Sequence, residues 1–238
     1  MKILITGGTG SVGEVLIKEF SFKKEYDITF TYFSNEKLAI ELSEKYLVKR
    51  LKITDYNTIV LDFDIIINNA GINITSDFTH EVELNDWNET LQTNLTIPFL
   101  ICKKVLPYMI KKKWGRIINI SSIYGLRSSE QNLPYNVSKH GLSGLTQTIA
   151  KEYAQYGITS NEICPAAIES NLMNRIATSS SNKEGISIEN YFDMVKNEIP
   201  AKRMAYPRDV ASLAYFLASE EAGFINGVSI PVDGGLIC

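Results

Sequence analysis

Apolar positions along this chain follow two rhythms. Short runs rich in Ile and Val, at 2–5, 28–32, 47–51, 64–67, 116–120, 158–163 and 228–232, are apolar on both faces, as strands of a buried parallel sheet are. Between them, 12–24, 35–45, 86–113, 135–156 and 207–218 carry apolar residues at helical spacing. Strand and helix alternating at this period predict one α/β domain over 1–238, a Rossmann-type doubly wound parallel sheet flanked by helices on both faces. Two stretches break the rhythm. Residues 52–63 leave room for little more than a turn or two of helix. Residues 171–199, with "TSSSNKEG" and a short helical pattern at 188–197, form a long irregular segment suited to a lid.

Composition narrows the function classes. At 238 residues and 45% apolar content the chain can bury one substantial core. The formal net charge is -3 with Lys and Arg spread along the chain, so no basic stripe argues for nucleic acid or a membrane surface. Cys102, Cys164 and Cys238 are far apart and odd in number, which fits a reducing, cytoplasmic setting better than a disulfide framework. With His80 and His140 isolated, no metal site is expected. "MKILITGG" is too short for a signal peptide, and no apolar run reaches a membrane span.

"TGGTGSVG" at 6–13 joins the first strand to the first helix. Such a turn lets backbone approach a pyrophosphate, whose charge meets the free N–H groups and the positive end of the helix dipole. Gly7, Thr9, Gly10, Ser11, Val12 and Gly13 are the candidates. The spacing Gly7-x-x-Gly10-x-x-Gly13 is not the usual G-x-G-x-x-G, and glycine clusters also occur in ligand-free turns. An acid that would hold the ribose 2′-hydroxyl of NAD is expected about 20 residues on, at the end of the second strand. Asp27 precedes that strand, and its end, Thr31-Tyr32-Phe33-Ser34, has no acid. That favours NADP(H) over NAD(H), with Ser34, Asn35 or Lys37 near the 2′-phosphate, although no arginine is at hand.

Tyr135 and Lys139, four apart at the start of a helical stretch, share a helix face. An ammonium beside a phenol favours its anion and brings it into range for proton exchange. Ser121-Ser122 ends the strand "GRIINI", at the carboxyl edge where open α/β sheets bind ligands. With "NNAG" at 68–71, "TNL" at 93–95, "INISS" at 118–122 and "YNVSK" at 135–139, the chain resembles the single-domain branch of the short-chain dehydrogenase/reductase family, and in particular its 3-oxoacyl-acyl-carrier-protein reductases. "GITSNEICPAAIES" at 157–170 and "IPAKRMAYPRDVASLAYFLASEEAGFINGVSIPVDGG" at 199–235 extend the likeness almost to the C-terminus.

The resemblance implies hydride transfer between a nicotinamide and a ketone or secondary alcohol. Tyr135 would be the general acid, Ser122 would hydrogen-bond the same carbonyl oxygen, Lys139 would lower the tyrosine pKa and hold the nicotinamide ribose, and Asn94 would keep a water in a relay reaching Lys139. Around the cofactor it implies Tyr32 and Ser34, Ile53 and Asp55 near the adenine, Asn68, Ala70 and Gly71 at the adenine ribose, and Pro165, Ile168 and Ser170 at the nicotinamide. It also implies a homotetramer or homodimer paired through 86–113 and 135–156, and a small-molecule or carrier-bound carbonyl substrate in a pocket built from 72–80, 123–134 and 171–199.

Departures from the family pattern are Lys52 in place of an acid, Ala166 for glycine, Ser170 for threonine, the short 52–63 segment and the glycine loop itself. That loop's spacing suggests a sugar-nucleotide-modifying enzyme of the extended branch, but the chain ends at "VDGGLIC" without the extra substrate domain. A nucleotide-sensing protein that kept the fold and lost the chemistry is the other alternative. The joint presence of Asn94, Ser122, Tyr135 and Lys139 argues against it.

Overall fold

The computed structural model describes residues 1–23, 25–53, 62–74 and 77–238. Among them run β1 (Lys2–Ile5), α1 (Ser11–Ser21), β2 (Asp27–Tyr32), α2 (Glu36–Tyr46), β3 (Lys49–Lys52), β4 (Ile65–Asn68), α3 (Leu84–Leu91), a π-turn (Gln92–Thr96), α4 (Ile97–Lys112) and β5 (Gly115–Ile120). α5 (Leu133–Tyr153), β6 (Ile158–Pro165), α6 (Asn171–Glu184), α7 (Ile188–Glu198), α8 (Pro207–Leu217) and β7 (Ser229–Val232) follow. The seven strands form one sheet in the order β3-β2-β1-β4-β5-β6-β7, with every neighbouring pair parallel.

Every residue of β4, β5 and β6 is buried, as in the inner strands of a parallel sheet, although Arg116 and Asn119 in β5 and Thr159, Ser160, Asn161 and Glu162 in β6 are polar. Alternation along β4 divides the core. Ile65 and Ile67 join the cluster built with α1, α2 and α8, while Ile66 joins the one built with α4 and α5. Each such aliphatic side chain removed from water contributes about 1.5–3 kcal/mol.

The chain leaves β1 toward β2 and β3, then returns to place β4 on β1's other side. The carboxyl ends of β1 and β4 therefore border a crevice, the usual ligand position in a doubly wound sheet. The helical stretch expected at 86–113 is interrupted by the π-turn around Asn94, a local geometry common at functional positions. The irregular segment 171–199 is more ordered than its composition suggests, forming α6 and α7. Of the short connection 52–63, residues 54–61 lie outside the described residues.

Candidate active site

Stitching between β1 and β4 shapes the glycine loop. Thr6 Oγ1 accepts the N–H groups of Asn69 and Ala70, each at 2.9 Å. The Asn69 amide donates back to the carbonyls of Thr6 (2.9 Å) and Gly7 (3.1 Å). Gly7 sits at φ +66, and Gly7 and Gly8 donate to Thr31 Oγ1 and to the Thr31 carbonyl at 3.2 and 2.8 Å. A Cβ at Gly13 would lie 2.3 Å from the Gly7 oxygen, and one at Gly8 would lie 2.4 Å from the Phe30 ring. Both are glycines because backbone and ring occupy that space.

Gly10 differs: a Cβ there would approach only the Gly7 oxygen, at 3.3 Å. It is the N-cap of α1, with no side chain capping the helix. The orphan N–H groups of the first turn, around Ser11, Val12 and Gly13, are therefore not taken by a side-chain cap, and helix start and dipole together suit an anion. Thr9 is half-buried in the same turn. These residues fit the pyrophosphate of a dinucleotide.

At the end of β2, Tyr32 is buried and its hydroxyl donates to Glu36 Oε1 at 3.4 Å. Glu36 also pairs with Lys52, 3.7 Å away at the end of β3. The strand end lacks an acid, as the sequence indicates, but the first turn of α2 brings one beside it. Ile53 is buried and donates its N–H to the Tyr32 carbonyl at 3.1 Å. Ser34 is exposed, with its carbonyl accepting the Glu36 N–H at 3.0 Å. Asp27 pairs with Lys49 at the opposite end of the strand, and Asp55 lies outside the described residues.

Asn68 faces away from the crevice. Its amide donates to Asn119 Oδ1 at 2.8 Å, and Asn119 donates in turn to Thr146 Oγ1 at 2.8 Å, under α5. Strand alternation explains this: Asn68 falls on the side of Ile66, so it can offer the crevice main chain only. Ala70 packs on the glycine loop, its Cα 3.0 Å from where a Gly7 Cβ would be. A Cβ at Gly71 would lie 3.5 Å from both Asn94 Oδ1 and Lys139 Nζ, so these three residues adjoin. The Asn94 side chain ties the π-turn to the segment after β4 and to α5. Oδ1 accepts the Ile72 N–H (2.8 Å), and the amide donates to the Ile72 carbonyl (2.8 Å) and Ser138 Oγ (3.0 Å).

Beyond β5, Ser122 caps a short 3-10 turn, its Oγ accepting the Tyr124 N–H at 3.1 Å. Pro134 stands in the first turn of α5, and Tyr135 lies one turn ahead of Lys139. Lys139 is buried; its Nζ donates to the Ile120 carbonyl at 2.9 Å and lies 5.5 Å from the centre of the Tyr135 ring. The Tyr124 ring meets Tyr135 edge-on at 6.4 Å. Burial pushes the Tyr135 phenol up to about 12, against the opposing pull of the Ser122 hydroxyl. Desolvation brings the Lys139 ammonium down to about 8. At neutral pH the phenol is thus a proton donor and the lysine remains largely charged. Burial, and not the lowering expected from Lys139, sets the direction of the phenol's shift.

Pro165 ends β6, Ile168 forms a bridge with Ala205, and Ser170 caps α6 by accepting the Met173 N–H at 3.1 Å. Asn171 donates its N–H to Ser11 Oγ at 3.1 Å, and Lys183 pairs with Asp77 at 3.1 Å. α6 is thereby tied to the glycine loop at its start and to the segment after β4 at its end. His140 is bonded to its own helix through the Asn136 carbonyl at 2.9 Å. Among the described residues no cluster of His, Cys, Asp or Glu could hold a metal ion, and no helix is long and apolar enough to cross a membrane.

The structure brings together Ser122, Tyr135, Lys139, Asn94 and Gly71 on one side, and Gly7, Gly10, Ser11 and Gly13 on the other. Sequence pattern alone does not single out Thr6, Gly8, Glu36 or Asn69. Asn69 stands inside the "NNAG" motif, where its neighbour Asn68 draws the assignment instead.

Residues 53–237 match the family model described as Enoyl-(Acyl carrier protein) reductase. The chain is 32% identical to the 3-oxoacyl-acyl-carrier-protein reductase of Aquifex aeolicus, over 98% of this chain and 86% of that protein. It is 34% identical to the acetoacetyl-CoA reductase of Cupriavidus necator, over 74% of this chain and 66% of that one. Among solved structures, a single-substitution variant of actinorhodin polyketide ketoreductase with NADPH superposes with a TM-score of 0.90 at 26% identity, covering 99% of this chain and 96% of that one. ElxO with NADP bound gives 0.83 at 30% identity, covering 99% and 98%.

Proposed function

The chain belongs to the short-chain dehydrogenase/reductase family and is an oxidoreductase of carbonyl and hydroxyl groups, and on that premise we propose that it reduces the ketone of a 3-oxoacyl thioester, with NADPH favoured and NADH the alternative. The observation that carries the reading is the convergence of Ser122, Tyr135 and Lys139 at the carboxyl edge of the sheet, the same edge at which α1 starts uncapped. Tyr135 donates its proton to the carbonyl oxygen, and Ser122 hydrogen-bonds that oxygen as charge develops on it. Lys139 stabilises the phenolate left behind. The hydride comes from the bound nicotinamide; the chain supplies position and electrostatics.

Gly7, Thr9, Gly10, Ser11, Val12 and Gly13 would hold the pyrophosphate, with Tyr32 and Ser34 toward the 2′-phosphate, Ile53 near the adenine, the main chain of Asn68 with Ala70 and Gly71 at the adenine ribose, and Pro165, Ile168 and Ser170 near the nicotinamide. The ketoreductase solved with NADPH and ElxO solved with NADP support the favoured cofactor for this chain. So does Lys52, a cation beside the end of β2, although Glu36 offsets part of its charge. The substrate would enter beneath a lid made by 171–199 within a single domain spanning 1–238. A second copy would pair through α4 and α5, where Phe99 and Val137 are exposed. Three free cysteines support a reducing compartment such as the cytoplasm.

The test is NADPH absorbance with a panel of 3-oxoacyl thioesters and small ketones, alongside dissociation constants for NADPH and NADH. Oxidation of NADPH by a 3-oxoacyl thioester is expected. No oxidation with any ketone would defeat the reading, and tighter binding of NADH would reverse the cofactor preference.

A further inference from the structure

Two charged side chains meet where the outer strands of the sheet end. β2 and β3 pair in parallel with Tyr32 opposite Lys52, so both side chains leave the same face. The first turn of α2 adds Glu36, whose Oε1 accepts the Tyr32 hydroxyl at 3.4 Å and whose Oε2 lies 3.7 Å from Lys52 Nζ. Glu36 therefore bridges the two, with one carboxylate oxygen for each. The group adjoins the glycine loop, because Thr31, the residue before Tyr32, accepts the Gly7 N–H on its hydroxyl and the Gly8 N–H on its carbonyl. A dinucleotide with its pyrophosphate on that loop has its adenosine ribose at the end of β2, where NADH carries a 2′-hydroxyl and NADPH a 2′-phosphate. Neither charge sits on β2 itself: the acid comes from α2 and the cation from the last residue of β3. Their pairing is weak, since Lys52 and Glu36 are 51% and 58% exposed and an ion pair so hydrated holds little. A phosphate monoester carries more negative charge than a carboxylate and offers three acceptor oxygens, so it outcompetes Glu36 for the ammonium. A ribose hydroxyl leaves the pair intact.

We propose that Lys52 and Glu36 are an exchange pair that sets the choice of cofactor: Lys52 is the cation for the 2′-phosphate, and Glu36 holds it until the phosphate takes its place. Lys52 favours NADPH and contributes nothing to NADH. Glu36 limits that preference, because its carboxylate gives up Lys52 and then stands beside the incoming phosphate. The inference rests on the reading of the glycine loop as a dinucleotide site.

Isothermal titration calorimetry on the whole protein, with no ketone present, measures Kd for NADPH and NADH. It does the same for two fragments that differ only in the 2′-phosphate, adenosine 2′,5′-bisphosphate and adenosine 5′-phosphate. Lys52→Gln is expected to weaken NADPH and the bisphosphate about tenfold, the scale of one charge-assisted hydrogen bond, and to leave NADH and adenosine 5′-phosphate essentially unchanged. Glu36→Gln is expected to tighten NADPH by no more than about fivefold, the scale of an exposed ion pair, with NADH unmoved. An unmoved NADPH Kd in either variant, or equal losses of both cofactors in Lys52→Gln, overturns the proposal. So does selective weakening of NADH in Glu36→Gln, which would make Glu36 the acceptor for the ribose hydroxyl. A wild type that binds neither cofactor defeats the dinucleotide reading and this pair with it. One that binds NADPH but reduces no ketone defeats the reductase reading alone, and the Kd comparison still decides the role of Lys52 and Glu36.

Discussion

α5 and the helix pair α6–α7 approach the same crevice on opposite terms. α5 buries eight residues, including Asn136, Ser138, Lys139 and Thr146. α6 buries three and α7 none. Polar groups held in a low-dielectric interior cannot shift without losing their partners, whereas exposed ones exchange contacts with water at little cost. The chemistry is thus mounted on the rigid side and the proposed lid on the yielding one. Substitutions on the α5 side should change turnover, and those on α6–α7 should change substrate affinity.

The sharpest way to break that contrast is Tyr135→Phe. It removes the proton donor while leaving the ring packed against Tyr124, so kcat is expected to fall by about a hundred- to ten-thousand-fold. NADPH affinity, measured by fluorescence titration, should stay near wild type. Normal turnover would remove the general acid from the site.

Gly13→Ala extends the contrast to the glycine loop, which is as tightly built as α5. The new methyl would meet the Gly7 oxygen at 2.3 Å and the Gly8 Cα at 2.8 Å, so the loop must move. A loss of about 1–3 kcal/mol in stability, seen as a lower Tm, should accompany weaker NADPH binding. An unchanged Tm with unchanged binding would mean that the loop yields as readily as the lid.

The same contrast explains what could be read without coordinates. The parallel sheet was legible because β4 and the isoleucines of β5 are buried on both faces and leave a strong apolar record, whereas in β6 Thr159, Ser160, Asn161 and Glu162 are buried polar residues that weaken it. Tyr135, Lys139 and Ser122 were legible because helix spacing and a strand end place them with little help from distant residues. Asn68 and Asn69 were not separable, since one residue of strand phase decides which side chain enters the crevice. Glu36 was hidden because an acid is sought on the strand, and it is α2 that brings one to Tyr32. Within 171–199, α7 falls where the 188–197 pattern expects a helix, whereas α6 was obscured by polar composition, because a helix that buries only three residues leaves no strong apolar stripe.

The smallest expected effect tests the yielding side. Lys183 and Asp77 pair at 3.1 Å across the edge of the proposed lid, with side chains 51% and 41% exposed. A pair so hydrated is worth about 0.2–1 kcal/mol, which corresponds to no more than about a fivefold change in an equilibrium. Lys183→Ala should therefore raise KM for the ketone by a few fold at most, with kcat and Tm essentially unchanged, as steady-state kinetics and a thermal melt would show. A fall in kcat comparable to that of Tyr135→Phe would put lid closure on the path of the chemical step. α6 would then have to be counted with α5 as part of the catalytic frame, and the division between a rigid and a yielding side would no longer hold.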